Sequence, residues 1–181
     1  MTRFFVVPAA IVVVFLAFAA ALAEVPAPQA RLSERWHGTW KGRLTSMVPG
    51  QDYMTLDMEL AIHPLDDPSR CTWTIVYIAN RERSVRAYEI VTLDEQAGRY
   101  AIDEKNSIVI EGRMVGDTLH FPFTLGDVLL LATYRLQGDT LSVDIVTLGT
   151  GDAPVTGGRD GAPEVGLPRV SAVQKADLKR E

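Results

Sequence analysis

The feature that most limits how this chain can fold is a period of two in its apolar residues. Between residues 54 and 62, Met54, Leu56, Met58, Leu60 and Ile62 alternate with Thr55, Asp57, Glu59 and Ala61. Successive side chains on a strand point to opposite faces, so this segment presents one apolar face and one wet face, the habit of an antiparallel sheet. His63-Pro64-Leu65-Asp66-Asp67-Pro68 ends the run. Proline lacks the ladder donor, and aspartate favours turns. The same reading predicts strands at 38–44, 71–78, 85–93, 99–103, 107–114, 118–125, 129–137 and 140–148. Gly98, Gly116-Asp117, Gly126-Asp127 and Gly138-Asp139 separate neighbours with tight-turn chemistry. Gly116-Asp117-Thr118-Leu119 recurs as Gly138-Asp139-Thr140-Leu141, which reads as two hairpins sharing one turn rather than as a repeat.

No long amphipathic helical pattern interrupts these strands, which argues against parallel βαβ units. A run of consecutive short strands leaves exposed edges, and closing the sheet removes them. Tight hairpins favour a meander over a sandwich, which needs long crossovers. The expected fold is therefore all-β: an antiparallel up-and-down β-barrel of about 8–10 strands. Leu32 and Trp36, four apart, fit one helical turn leading into it. Residues 149–168, rich in Gly, Asp and Pro, read as a long loop. Residues 170–178 alternate weakly. A closing strand is favoured there, with a frayed helix or a tail as alternatives.

The chain opens Met1-Thr2-Arg3, runs almost unbroken in apolar residues from Phe4 to Leu22, and then reads Ala21-Leu22-Ala23-Glu24. A basic start, an apolar stretch and small residues at the two peptidase positions are the pattern of a cleavable secretory signal. The run approaches the length of a membrane anchor, but no basic stop-transfer cluster follows it. The expected organisation is a signal at 1–23, a flexible leader at 24–35, the barrel domain at 36–148, and a loop with a possible closing strand at 149–181. The expected location is periplasmic or extracellular, with no stable membrane insertion after cleavage. The single cysteine, Cys71, has no intrachain disulfide partner and cannot be a lipid-modified residue after the signal. It lies in the apolar stretch Cys71-Thr72-Trp73-Thr74-Ile75 and reads as a buried, inert thiol, with no activating cation or histidine in sequence. A formal net charge of −5 makes the chain a poor partner for nucleic acid.

The segment Trp36-His37-Gly38-Thr39-Trp40-Lys41-Gly42 sits at the start of the first expected strand. Gly-x-Trp in that place resembles the opening strand of lipocalin-like (calycin) β-barrels. The resemblance implies that Trp40 plugs the closed end and that Gly38 lets the backbone pack around it. Residues 36–148 also resemble uncharacterised secreted bacterial proteins of this plan, notably through Gly98-Arg99-Tyr100-Ala101-Ile102-Asp103-Glu104-Lys105-Asn106. That likeness carries no activity with it. Gly38-x-Trp40-x-Gly42 is also similar to the opening of nitrobindin-like haem barrels. Arg43 stands where that family has a third glycine, and the last histidine, His120, lies far from the C-terminus. No cofactor is therefore expected.

The three histidines, His37, His63 and His120, are not at metal-ligand spacings, and no metal site is assigned. The acid pairs Asp66-Asp67, Asp94-Glu95 and Asp103-Glu104 fall at turns, where carboxylates are solvated, and no catalytic residue is assigned. No nucleophile elbow, phosphate-cradling loop or Cys-x-x-Cys occurs. Aromatic residues are the more telling group. Trp73, Ile75 and Tyr77 share one strand face, as do Arg86, Tyr88 and Ile90. Tyr100 and Tyr134 follow on later strands. Were these faces to line a barrel, hydroxyls and a guanidinium would stand in an apolar cavity, the usual make-up of a ligand pocket. The candidate ligand-binding residues are Trp40, Tyr77, Arg86, Tyr88, Tyr100 and Tyr134. The leading expectation is a barrel that buries a small, largely apolar ligand. A filled barrel acting through its surface on an unknown protein partner, and an enzyme on the same barrel, are the alternatives.

Overall fold

The computed structural model describes residues 32–181. The expected signal at 1–23 and residues 24–31 of the expected leader lie outside the described residues. The main chain forms ten antiparallel strands closed into a barrel: β1 (Gly38–Met47), β2 (Met54–Ile62), β3 (Arg70–Ala79), β4 (Glu82–Asp94), β5 (Arg99–Asp103), β6 (Val109–Val115), β7 (Thr118–Leu125), β8 (Val128–Gln137), β9 (Thr140–Gly149) and a last strand, Arg169–Arg180. Between β9 and that last strand lies a small separate hairpin, β10 (Val155–Thr156) with β11 (Val165–Gly166), so the closing strand is β12. Each strand from β1 to β9 pairs with the next, and β12 inserts between β9 and β1. This is an all-β, up-and-down barrel with no open edge.

The strands follow the sequence pattern because alternate residues reach the interior. Leu56, Met58, Leu60 and Ile62 face in on β2, as do Cys71, Trp73, Ile75 and Tyr77 on β3. Gly116, Gly126 and Gly138 each open a two-residue turn at positive φ, the type II′ signature that matches the twist of the flanking strands.

The differences from the expected elements have local causes. The sixth strand begins at Val109, not 107, because Lys105 and Ser107 have positive φ. Asp103 and Asn106 stabilise that bend by accepting hydrogen bonds from the backbone N–H of Lys105 and Ile108, at 2.9 and 3.0 Å. The fourth strand runs from Glu82 rather than 85, since Asn80 and Arg81 both take positive φ and turn the chain in two residues. The expected 149–168 loop holds the β10–β11 hairpin. The barrel extends beyond 148 by recruiting β12. At the other side, Leu32 is buried and Glu34–Trp36 form a 3-10 turn, so the end of the expected leader is an ordered cap.

This topology gives the barrel two unlike ends. The cap, the 63–69 connection and the β6–β7 and β8–β9 turns lie at one, the closed end. The 48–53 and 104–108 loops, the β3–β4 and β7–β8 turns and the β10–β11 hairpin lie at the other, the mouth.

Candidate functional site

The closed end is filled. Trp36 and Trp40 are fully buried there with Leu32. The indole Nε1 of Trp40 donates to the Trp36 carbonyl at 3.0 Å, and the Arg180 guanidinium lies 4.4 Å above the Trp40 ring. That distance is within cation–π range. Gly38 has φ +133°, a conformation that side chains rarely adopt, and so swings the chain from the cap into β1. Trp40 therefore occupies the plug position that the Gly-x-Trp resemblance implies.

Above this plug the interior is not filled. A cavity of about 210 Å³ lies between β3, β4, β5–β9 and β12. Its floor is an aromatic cluster. Trp73 and Tyr134 meet edge to face with ring centroids 4.9 Å apart, and Phe121 meets Tyr134 in the same way at 6.2 Å. The walls are mainly aliphatic and aromatic, with Ile75, Ile102, Leu130 and Ile145 among them. Polar atoms are few: the hydroxyls of Tyr77, Tyr88 and Tyr134, and the side chains of Glu104, Thr147 and Gln174.

Burial decides how these hydroxyls behave. It raises the Tyr134 phenol well above its ordinary range, and the nearby Tyr77 adds to the rise; the neighbouring Trp73 opposes it only in part. Burial also raises Tyr77, against the lowering influence of Arg86. Tyr88 is raised by burial and then by the nearby negative charge of Glu104, against the lowering influence of Arg86. All three are neutral phenols at pH 7, and each offers an O–H to the cavity or its mouth.

Three of the six sequence candidates line the cavity, and a fourth, Arg86, shares the inward-facing side without lining it. Tyr77, Tyr88 and Tyr134 line the cavity. Arg86 lies directly across from Ile75 on the adjoining strand, and so on the inward-facing side, but near the strand tip where it is exposed. The other two lie elsewhere. Trp40 is in the plug, and Tyr100 is buried in the packed core, its phenol raised by burial and by Glu95. Neither touches the cavity, because each sits nearer the closed end than the inward residues above it. Glu104, Thr147 and Gln174 are the polar lining residues that sequence reasoning missed, and Glu104 is the charged one. As half of Asp103-Glu104 it reads as a solvated turn acid. A period-two extension from the inward-facing Ile102 places it at the mouth.

The closed end brings together a pair the sequence separates. His37 Nε2 lies 3.0 Å from the Leu32 carbonyl and 3.6 Å from Cys71 Sγ. A carbonyl only accepts, so Nε2 carries the proton and cannot take one from the thiol. Cys71 is buried at this point. His63 is exposed beside Thr39, and His120 is half-buried on β7. Among the described residues, no group of three or more His, Cys, Asp or Glu side chains is placed to hold a metal ion. Two larger depressions, about 580 and 590 Å³, lie on the outer wall around β1 and β12, lined by outward-facing residues such as Thr45, Lys175 and Val173. They enclose nothing. Among the described residues no helix is long and apolar enough to cross a membrane.

Together, the closed ten-stranded meander, the tryptophan plug and the interior cavity define a lipocalin-like (calycin) β-barrel. Solved structures agree at the level of fold. The chain is similar to a protein of unknown function from the DUF3598 family of Nostoc punctiforme, with 13% identity and a TM-score of 0.53. That match covers 88% of this chain and 53% of the other, so the chain spans about half that protein's length. It is similar to the S-type phycobiliprotein lyase CPES from Guillardia theta at 12% identity and a TM-score of 0.55, covering 82% of this chain and 89% of that one. A third match is Rv2717c from M. tuberculosis, at 15% identity, 82% and 94% coverage and a TM-score of 0.49. No protein-family model and no curated protein sequence matches the chain.

Proposed function

We propose that this barrel binds a small, largely apolar molecule in its interior cavity. The observation that carries this reading is the unfilled space of about 210 Å³ above a fully packed plug. Protein interiors pack to the density of organic crystals, so an unfilled apolar space inside a barrel is a site for a guest. Its composition, apolar walls with a few hydroxyls, fits a pocket that holds a ligand by burial and orients it by a few hydrogen bonds. One fold neighbour is a phycobiliprotein lyase, which is compatible with a ligand-handling role on this architecture. We place the protein outside the cytoplasm, on the strength of the apolar run and the Ala21-Leu22-Ala23 ending. N-terminal sequencing of the protein from its host checks that placement. A mature chain starting at Glu24 supports it, and an intact Met1 or Thr2 start refutes it.

The binding reading is tested by native mass spectrometry of the protein purified from its host, followed by organic extraction and mass identification. A stoichiometric small molecule supports the reading. A barrel that carries no guest, and takes up no apolar probe in vitro, would be a filled module working through its outer surface.

A further inference from the structure

Resting on that reading, we infer that the ligand is an anionic amphiphile: a short apolar tail in the cavity and an acceptor-rich anionic head at the mouth against Arg86.

The mouth of the cavity is rich in hydrogen-bond donors that a ligand head could take over from water. Arg86 is paired with Ile75 across β3 and β4, with Tyr88 two residues along its own strand and Tyr77 diagonally opposite. Diagonal cross-strand neighbours lie within reach of long side chains. Arg86 is therefore on the inward-facing side at the mouth, beside two phenols that line the cavity, without lining the cavity itself. It makes no ion pair and no side-chain hydrogen bond among the described residues, a condition it shares with Arg81, Arg135 and Arg169, whereas other arginines on the barrel are paired. Arg70 holds Glu89 at 2.6 Å and Asp103 at 3.1 Å, and Arg83 holds Glu59 at 3.2 Å.

The acid at the same mouth is already served. Glu104 accepts from Asn106 Nδ2 at 3.3 Å. Donors thus outnumber acceptors around the opening. A guanidinium has five N–H donors and no acceptor capacity, and it matches carboxylate and phosphate oxygens in pairs. The group that completes this mouth brings oxygens and negative charge. The cavity limits the other end of the molecule. At about 30 Å³ for each water-sized group, 210 Å³ holds about seven such groups, a tail of medium length or a single ring.

Octanoate, 1-octanol and octylammonium share one tail and differ only in the head. Their dissociation constants at pH 7, from calorimetric titration of the purified chain, separate the possibilities. Octanoate is expected to bind about tenfold more tightly than octanol. The Arg86→Gln variant should abolish that preference by weakening octanoate far more than octanol, while Arg86→Lys retains part of it. Arg86 is exposed, so both substitutions leave the core intact. Equal binding of octanoate and octanol overturns the anionic-head inference and leaves the cavity reading standing. Tighter binding of octylammonium overturns it as well, moving the head to Glu104. Failure of all three to bind removes the parent reading too.

Discussion

At the closed end, Leu32, Trp36 and Trp40 are buried and leave no room for a guest, and Arg180 lies over the Trp40 ring. At the mouth, the same barrel holds an unfilled, mainly apolar space beside neutral phenols, with Arg86, which makes no ion pair among the described residues, on the inward-facing side nearby. The outer surface divides in the same way. Among the exposed large apolar side chains, Val115 is at the closed end, while Tyr53, Ile108, Leu125, Val155 and Leu167 cluster around the mouth. One end of the fold is built for stability. The other leaves apolar surface unburied, which a protein does where it meets other molecules.

The strongest way to break this contrast is to empty the plug. Trp40→Ala removes a fully buried indole, its bond to Trp36 and the platform under Arg180. Truncating a buried tryptophan costs about 3–5 kcal/mol. Urea unfolding followed by far-UV circular dichroism should show a loss of that size. A loss below about 1 kcal/mol would mean that the closed end is not where the barrel's stability is concentrated.

The complementary change fills the cavity. Ala132 faces inward between Phe121 and Ile145 and lines the empty space. Ala132→Leu adds its extra carbons to a void, so stability should move by no more than about 1 kcal/mol, whereas the same insertion into a packed core costs about 1–3 kcal/mol. Octanoate affinity should fall at least about tenfold, or 1.4 kcal/mol. A variant that is strongly destabilised, or that binds octanoate as before, would show that the space is not the ligand site.

The sequence revealed the scaffold more fully than the site. Strand alternation and Gly-Asp turns are local and strong, and they marked nine of the barrel's strands. The closing strand was faint because its inward positions, Ala172, Gln174 and Ala176, are small or polar and give little apolar contrast. Tyr77, Tyr88 and Tyr134 were legible as inward-facing because phase runs reliably along a strand. Depth was not legible. Trp40 and Tyr100 have the right phase but the wrong height, and height depends on how the strands tilt and stagger around the barrel. Glu104 was hidden because it lies just past the end of β5, where a turn acid and a mouth residue look alike.

A smaller effect is expected from the ion cluster on the outer wall. Arg70 bonds Glu89 and Asp103, and Lys105 reaches Glu89 at 3.1 Å. For Glu89, partial burial alone would raise the carboxyl, but the bonds from Arg70 and Lys105 outweigh it and hold it below its ordinary value. Asp103 is lowered first by the backbone N–H of Lys105 and then by Arg70. Carboxyls depressed in the folded state add stability above their unfolded values, around pH 4, and that stability is lost as pH falls through the lower folded values. These side chains are 20–31% exposed, so the contribution is about 1 kcal/mol or less. Arg70→Met should cost about that much at pH 7, and the difference from the parent should shrink steadily below pH 4. A difference that grows on acidification would show that the carboxyls are not held down by Arg70.

The smallest expected effect is at the rim. Leu125 is 73% exposed at the tip of β7, next to the two-residue turn into β8. Leu125→Ser removes apolar surface that already meets water, so urea unfolding should move by no more than about 0.5 kcal/mol. Leu119 lies on the same strand toward the closed end, is fully buried, and faces Tyr134 across β8. Leu119→Ser leaves a cavity and a hydroxyl in the core, and should cost several kcal/mol by the same assay. A ratio near one between the two variants would mean that the rim belongs to the core and that the two ends are not different in kind. A large ratio would leave the apolar rim without a stabilising role, and so free to meet what enters the mouth.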